Sequence, residues 1–253
     1  ASGRKGPGIL QPWKNIFVLL RKGSVFSKTT SVIFQIAPTI YLSSIICAIL
    51  MIPFPGTPSL ISFNGDFVMF AYLLGLGKLL FILSAMDTGS SFEGMGANRE
   101  ALYSMLVEPA FFILMGTFSM LTGYTSMHDI FSNFFISNQF SFIISFIAVY
   151  LLIQITMIEN SRMPVDDPKT HLELTMVHEV MILDHSGFDL ALIHIGTALK
   201  FAMYGSLIAL IVIPADWQGV RVVAVSPLLQ AVVDAMEQPF YQDDAAAHHA
   251  LAV

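Results

Sequence analysis

The 253-residue chain is poor in charge and almost without cysteine: charged residues make up 12% of it, and Cys47 is its single thiol. Soluble domains carry about 25% charged residues, so half the usual surface charge is missing. One thiol excludes an internal disulfide, a cysteine-held iron–sulfur cluster and a cysteine-based structural zinc site. The scarcity of Lys and Arg, twelve in all against eighteen acids, excludes a basic nucleic-acid-binding domain, and no nucleic-acid partner is expected. Phosphate-binding Gly-rich loops, Ser nucleophile elbows and HExxH motifs are also missing. The opening residues are basic and polar, which does not fit a secretory signal peptide.

Apolar sequence is what the chain has in abundance: 55% of residues, with a mean hydropathy of +0.71. It comes in five blocks, at about 30–53, 67–87, 101–122, 140–158 and 189–213. A bilayer core of about 30 Å takes roughly 20 residues of helix, and each block is long enough. Each is apolar all round, without the alternation of a β-barrel strand. The expected fold is an all-α, polytopic membrane bundle of about five transmembrane helices and a cytoplasmic helix. Residues 1–213 form its membrane domain. Residues 214–253 are an atypical tail, read as non-native or disordered.

The few cations set the orientation. Residues 1–28 hold Arg4, Lys5, Lys14, Arg21, Lys22 and Lys28; 88–100 holds Arg99; 159–188 holds Arg162 and Lys169. With five spans, these nine lie on one side and only Arg221 on the other. The positive-inside rule makes the nine-cation side, with the N-terminus of this chain, cytoplasmic.

The remaining ionisable residues collect in two connections. The first, 159–188, reads ENSRMPVDDPKTHLELTMVHEVMILDHSG and carries seven acids if Asp189 is included. Asp167-Pro168 suits a helix start and Gly187 a helix end, so a cytoplasmic helix is expected at about 168–185. At 100° per residue His171, Thr175, His178 and His185 share a stripe, with Glu179 at its edge; Glu173 and Asp184 lie opposite. Two polar stripes suggest packing on more than one side. Histidines seven apart stand about 10 Å from each other along a helix, too far to share a metal ion, and no metal site is expected.

The second connection, from Asp87 through Glu93 and Arg99 to Glu100, is rich in Gly and Ser and reads as a tight turn. Glu108 lies two turns beyond Glu100, before Pro109, which removes a backbone hydrogen bond. A carboxylate at that depth should face a protein-lined or watery interior, and Lys78 and Lys200 also fall inside spans. For the lysines the alternatives are snorkelling to the boundary or membership of a buried acid–base chain.

Three stretches carry a family resemblance: the 159–188 sequence above, DTGSSFEGMGANREALYSMLVEP and RKGPGILQPWKNIFVLLRKGS. Together they resemble the membrane subunit shared by formate hydrogenlyase and other membrane-bound nickel–iron hydrogenases. That subunit is homologous to the quinone-site subunit (subunit 1, or H) of respiratory complex I. The resemblance runs in order over about residues 4 to 213, and HLELTMVHE is closer to the hydrogenase branch. Family members have a membrane helix before the RKGPG loop and further helices after the fifth span.

The resemblance implies an ion-translocation-coupling subunit of the cytoplasmic (inner) membrane that has no redox centre and is not an enzyme alone. It would anchor peripheral hydrogenase or dehydrogenase subunits beside antiporter-like membrane subunits in the lipid bilayer. Nickel–iron and iron–sulfur centres would belong to those partners, and a quinone is the bound molecule to consider. Glu100, Glu108, Glu159, Glu173, Glu179, Lys78 and Lys200 would form the charged path. The loop under the peripheral arm, or around a quinone cavity, would hold Asp87, Glu93, Arg99, Arg162, Asp166, Asp167, His171, His178, Asp184 and His185. The alternatives are the quinone-site subunit of a complex I-like dehydrogenase and a stand-alone ion transporter. The spans show no inverted repeat of the kind a transporter would carry.

Overall fold

A computed structural model describes residues 11–27, 30–53, 59–134, 139–162 and 177–212. The expected helix start at Asp167-Pro168, the residues Asp166, Asp167, His171 and Glu173, and the tail all lie outside the described residues. Among those described there are eight helices and no strand: α1 (Gln11–Arg21), α2 (Val32–Ile49), α3 (Asp66–Asp87), α4 (Ser91–Thr122), α5 (Met127–Asn133), α6 (Gln139–Glu159), α7 (Val177–Met181) and α8 (Gly187–Val212). Five of them, α2, α3, α4, α6 and α8, are long and apolar enough to cross a bilayer, and the chain is a multi-pass membrane protein.

One stretch departs from its sequence reading. Residues 91–100, expected as a tight turn, are the first three turns of α4; the turn itself is confined to 88–90. The isolated glycines are outweighed by the helix formers Ala97, Arg99, Glu100 and Ala101. At 32 residues α4 is about 48 Å long, well beyond a bilayer core. Its extra turns receive α7: Gly96 lets the Val177 carbonyl and the Met181 side chain approach to where a β-carbon would be 3.0–3.1 Å away. The expected cytoplasmic helix is helical only over Val177–Met181 within the described residues, then turns. Gly187 opens α8 in a left-handed conformation (φ 55°), set against the backbone of Lys22 and Gly23.

The two ends of the bundle are fastened differently. Away from the basic loops, the fully buried Asp66 carboxylate accepts hydrogen bonds from the Ser126 hydroxyl (3.0 Å) and the Met127 amide (2.6 Å). This pins α5 beneath Phe70, Phe111, Phe118 and Leu152 in the larger apolar core. At the basic end, Asp87 accepts from the Ser31 amide ahead of α2 (2.6 Å). A smaller core, built from Tyr41, Ile45, Phe81, Ala85, Ala97, Met181 and Ile193, lies there.

Helix α1, in a stretch read for its charges and its family resemblance and not as a helix, packs Ile16 and Leu20 on Ala198 and its neighbours in α8, leaving Trp13, Phe17 and Val18 exposed.

Close helix crossings set the spacing. A β-carbon on Gly196 of α8 would stand 2.7 Å from Cε1 of Tyr41 on α2. Gly196→Ala should therefore destabilise by about 1–3 kcal/mol through overpacking. The measurement is the apparent unfolding temperature in detergent, and the Gly196→Ala loss should be much smaller in a Tyr41→Leu background than in the parent. An equal Gly196→Ala loss in both backgrounds would contradict this packing.

Candidate functional site

Four spans each contribute one charged side chain to a common interior point. Lys78 lies twelve residues into α3, Glu100 nine residues into α4, Glu159 is the last residue of α6, and Lys200 is midway along α8. All four are buried, between 4% and 7% exposed. The Lys78 ammonium is 2.9 Å from Glu100 Oε1 and donates to Glu159 Oε1 at 2.9 Å. Lys200 donates to Glu159 Oε2 at 3.3 Å and stands 5.6 Å from the centre of the Tyr41 ring. The lysines therefore point into the bundle and do not snorkel to its boundary.

Two cations and two anions make the quartet neutral. Isolated charges there would each lose several kcal/mol of solvation, which mutual attraction and hydrogen bonding must offset. Glu159 is the hub, since among the described carboxylates it alone touches both lysines.

Glu159 also closes α6. The Ser161 amide donates to the Ile158 carbonyl and the Arg162 amide to the Met157 carbonyl, the paired bonds of a Schellman cap. Ser161 donates its hydroxyl to Glu100 Oε2 at 3.3 Å. Sequence reasoning missed Ser161 and Tyr41. A glycine is the usual signal for such a cap, and an apolar-block tyrosine reads as packing.

The connections meet at the basic end. Glu93, 1% exposed, accepts from the Asp184 amide (3.2 Å), joining the start of α4 to the turn after α7. Asp87 and Glu179 are partly buried there, Arg162 is partly buried beyond Ser161, and Arg99 and Asp184 are exposed. Among the described residues no three His, Cys, Asp or Glu side chains gather as metal ligands would. Glu108 stands apart. Helical geometry turns it about 80° from Glu100 and about 12 Å further along α4. It is exposed on the outer face of α3 and α4 and not in an interior, its carboxylate lying over Gly75, which lacks the side chain that would fill that space.

Histidines line the basic end of this interior. His185 stacks on Phe34 with ring centroids 4.0 Å apart and planes 4° from parallel, and Phe81 lies beyond at 6.5 Å. Neither ring nitrogen has a hydrogen-bond partner among the described residues. Burial pulls its pKa down to about 4. His178, 5.5 Å from Phe81, is held neutral by burial and then by the positive charge of Lys200.

A His185 whose folded pKa lies below its unfolded value contributes stability above about pH 6.5, lost as pH falls toward 4. Its share of the loss at pH 5 is about 2 kcal/mol. His185→Phe keeps the stack and removes the titration. The fall in unfolding temperature between pH 7.5 and 5 should shrink by about 4–8 °C. An unchanged fall would contradict the assignment.

The sequence pattern of a family described as NADH dehydrogenase matches residues 1–241. Hydrogenase-4 component C of Escherichia coli K12 is 30% identical over 211 residues, which cover 83% of this chain and 66% of that protein. Formate hydrogenlyase subunit 4 of the same organism is 26% identical over 236 residues, covering 92% and 74%. The chain thus spans just under two thirds of the length of the first relative and about three quarters of the second. A chain of the archaeal membrane-bound sulfane sulfur reductase, a respiratory membrane complex, superposes with a TM-score of 0.71 at 17% identity, covering 92% of this chain and 79% of that one.

Proposed function

This chain belongs to the NADH dehydrogenase family, and from that premise we propose that it is the membrane-anchoring, ion-translocation-coupling subunit of a formate hydrogenlyase-like hydrogenase complex. The observation that carries the proposal is the neutral Lys78–Glu100–Glu159–Lys200 quartet, whose hub residue is also the first residue of the 159–188 connection. Similarity to hydrogenase-4 component C and formate hydrogenlyase subunit 4 favours the hydrogenase branch over a quinone-site subunit.

In this reading the basic end faces the cytoplasm and the membrane is the cytoplasmic (inner) one. The connections holding Asp87–Arg99 and Arg162–His185 dock the peripheral subunits. Those subunits carry the nickel–iron and iron–sulfur centres, and this chain supplies no redox group. Its work is electrostatic. A proton taken up by Glu100 would leave the quartet with one surplus positive charge. At an effective dielectric constant of 20, a unit charge 4 Å from another interacts with it by about 4 kcal/mol, enough to drive a compensating ion movement. Glu108 carries the path toward the outer face of α3 and α4, which an antiporter-like membrane subunit would cover. A carboxylate left against lipid would be expensive.

The identifying experiment is purification of the chain from its native membrane in mild detergent. Copurification with a nickel–iron large subunit is the expected result. A flavin-containing module with quinone-dependent activity, or the chain alone conducting ions in liposomes, would overturn the hydrogenase reading.

A further inference from the structure

Ser161 is the one non-glycine residue with a left-handed backbone among those described, at φ 47°. It occupies the position of the α6 cap where glycine is ordinarily found, because a β-carbon is strained there. Backbone strain of this kind persists only where the surrounding structure enforces it. What a serine has that glycine lacks is its hydroxyl. That group, on a residue 8% exposed, donates to Glu100 Oε2 at 3.3 Å, while Glu100 Oε1 faces Lys78 at 2.9 Å. The Glu100 carboxylate is thereby gripped from two sides, by α3 and by the turn that ends α6. Two residues earlier in the same turn, Glu159 holds both lysines. The turn thus reaches both carboxylates of the quartet.

We propose that Ser161 is a positioning residue, whose hydroxyl fixes the Glu100 carboxylate against Lys78 and so sets the geometry of the buried quartet. The inference rests on the coupling reading of that quartet.

Glycine separates the two roles open to Ser161. Ser161→Gly relieves the backbone and keeps the helix cap, but removes the hydroxyl; Ser161→Thr keeps the hydroxyl. The test uses the whole complex in native membrane vesicles, with Glu100→Gln in parallel. The readouts are ions moved per electron pair, the unfolding temperature, and the carboxyl stretching band of isotope-labelled glutamate assigned by its loss in Glu100→Gln. Ser161→Gly is expected to leave the unfolding temperature at or above that of the parent. It should also lower the coupling ratio about fivefold, the factor corresponding to one ordinary hydrogen bond, and displace the Glu100 band. Ser161→Thr should restore both ratio and band. Parental coupling and an unmoved band in Ser161→Gly, with coupling lost in Glu100→Gln, would reduce Ser161 to a helix cap and overturn the inference alone. Parental coupling in Glu100→Gln would instead overturn the coupling reading of the quartet.

Discussion

Glu159→Gln should destabilise the fold by about 3–5 kcal/mol, the largest loss expected from any single member of the quartet. Glutamine preserves shape and can still accept hydrogen bonds, so the loss is electrostatic. Lys78 keeps Glu100 at 2.9 Å, but Lys200 loses its ion pair with Glu159 and keeps the Tyr41 ring at 5.6 Å. A buried ammonium so placed must give up its proton or pull water into the bundle, and either is unfavourable. The check is a double-mutant cycle read by unfolding temperature or by yield of assembled protein. Adding Lys200→Met to Glu159→Gln removes the stranded charge and leaves the neutral Lys78–Glu100 pair. The double variant should therefore be more stable than Glu159→Gln alone. Additive losses would mean that the two residues are not coupled through the contact at 3.3 Å.

Glu100→Gln should behave in the opposite way, keeping the fold and losing the function. Its carboxylate shares Lys78 with Glu159, so its neutralisation strands neither cation. Assembly should survive, with a loss of about 1.5–3 kcal/mol, the range for a hydrogen bond to a charged group and smaller than that of Glu159→Gln, because Glu159 still touches both lysines. What disappears is the quartet's second carboxylate, the one held between Lys78 and Ser161. Ion movement coupled to turnover should fall below detection while electron transfer in the peripheral arm continues. Loss of both together would show that Glu100 is needed for docking, not for coupling.

The contrast between these variants follows from geometry that only part of the sequence announces. Five apolar blocks give five spans because length and uniform hydropathy are local properties of the chain. The start of α4 is less readable: glycines at 94 and 96 and serines at 90 and 91 imitate a turn, whereas Gly96 is there to admit α7. Lys78 and Lys200 stand out in the sequence as charges inside apolar spans, whereas Glu100 and Glu159 lie at the edges of connections and enter the charged path through the family resemblance. Their meeting depends on how α3, α4, α6 and α8 pack, which no local pattern encodes. Glu108 shows the same limit from the other side. It belongs to the same helix as Glu100, yet the packing of α3 on α4 leaves it on the outer face, over Gly75. Ser161 was invisible because its importance lies in a backbone angle.

The most direct test of the coupling account is the number of ions moved per electron pair in membrane vesicles carrying Glu100→Gln, at matched rates of electron transfer. The account predicts a ratio indistinguishable from zero with the parental electron-transfer rate retained. A parental ratio in that variant would contradict it.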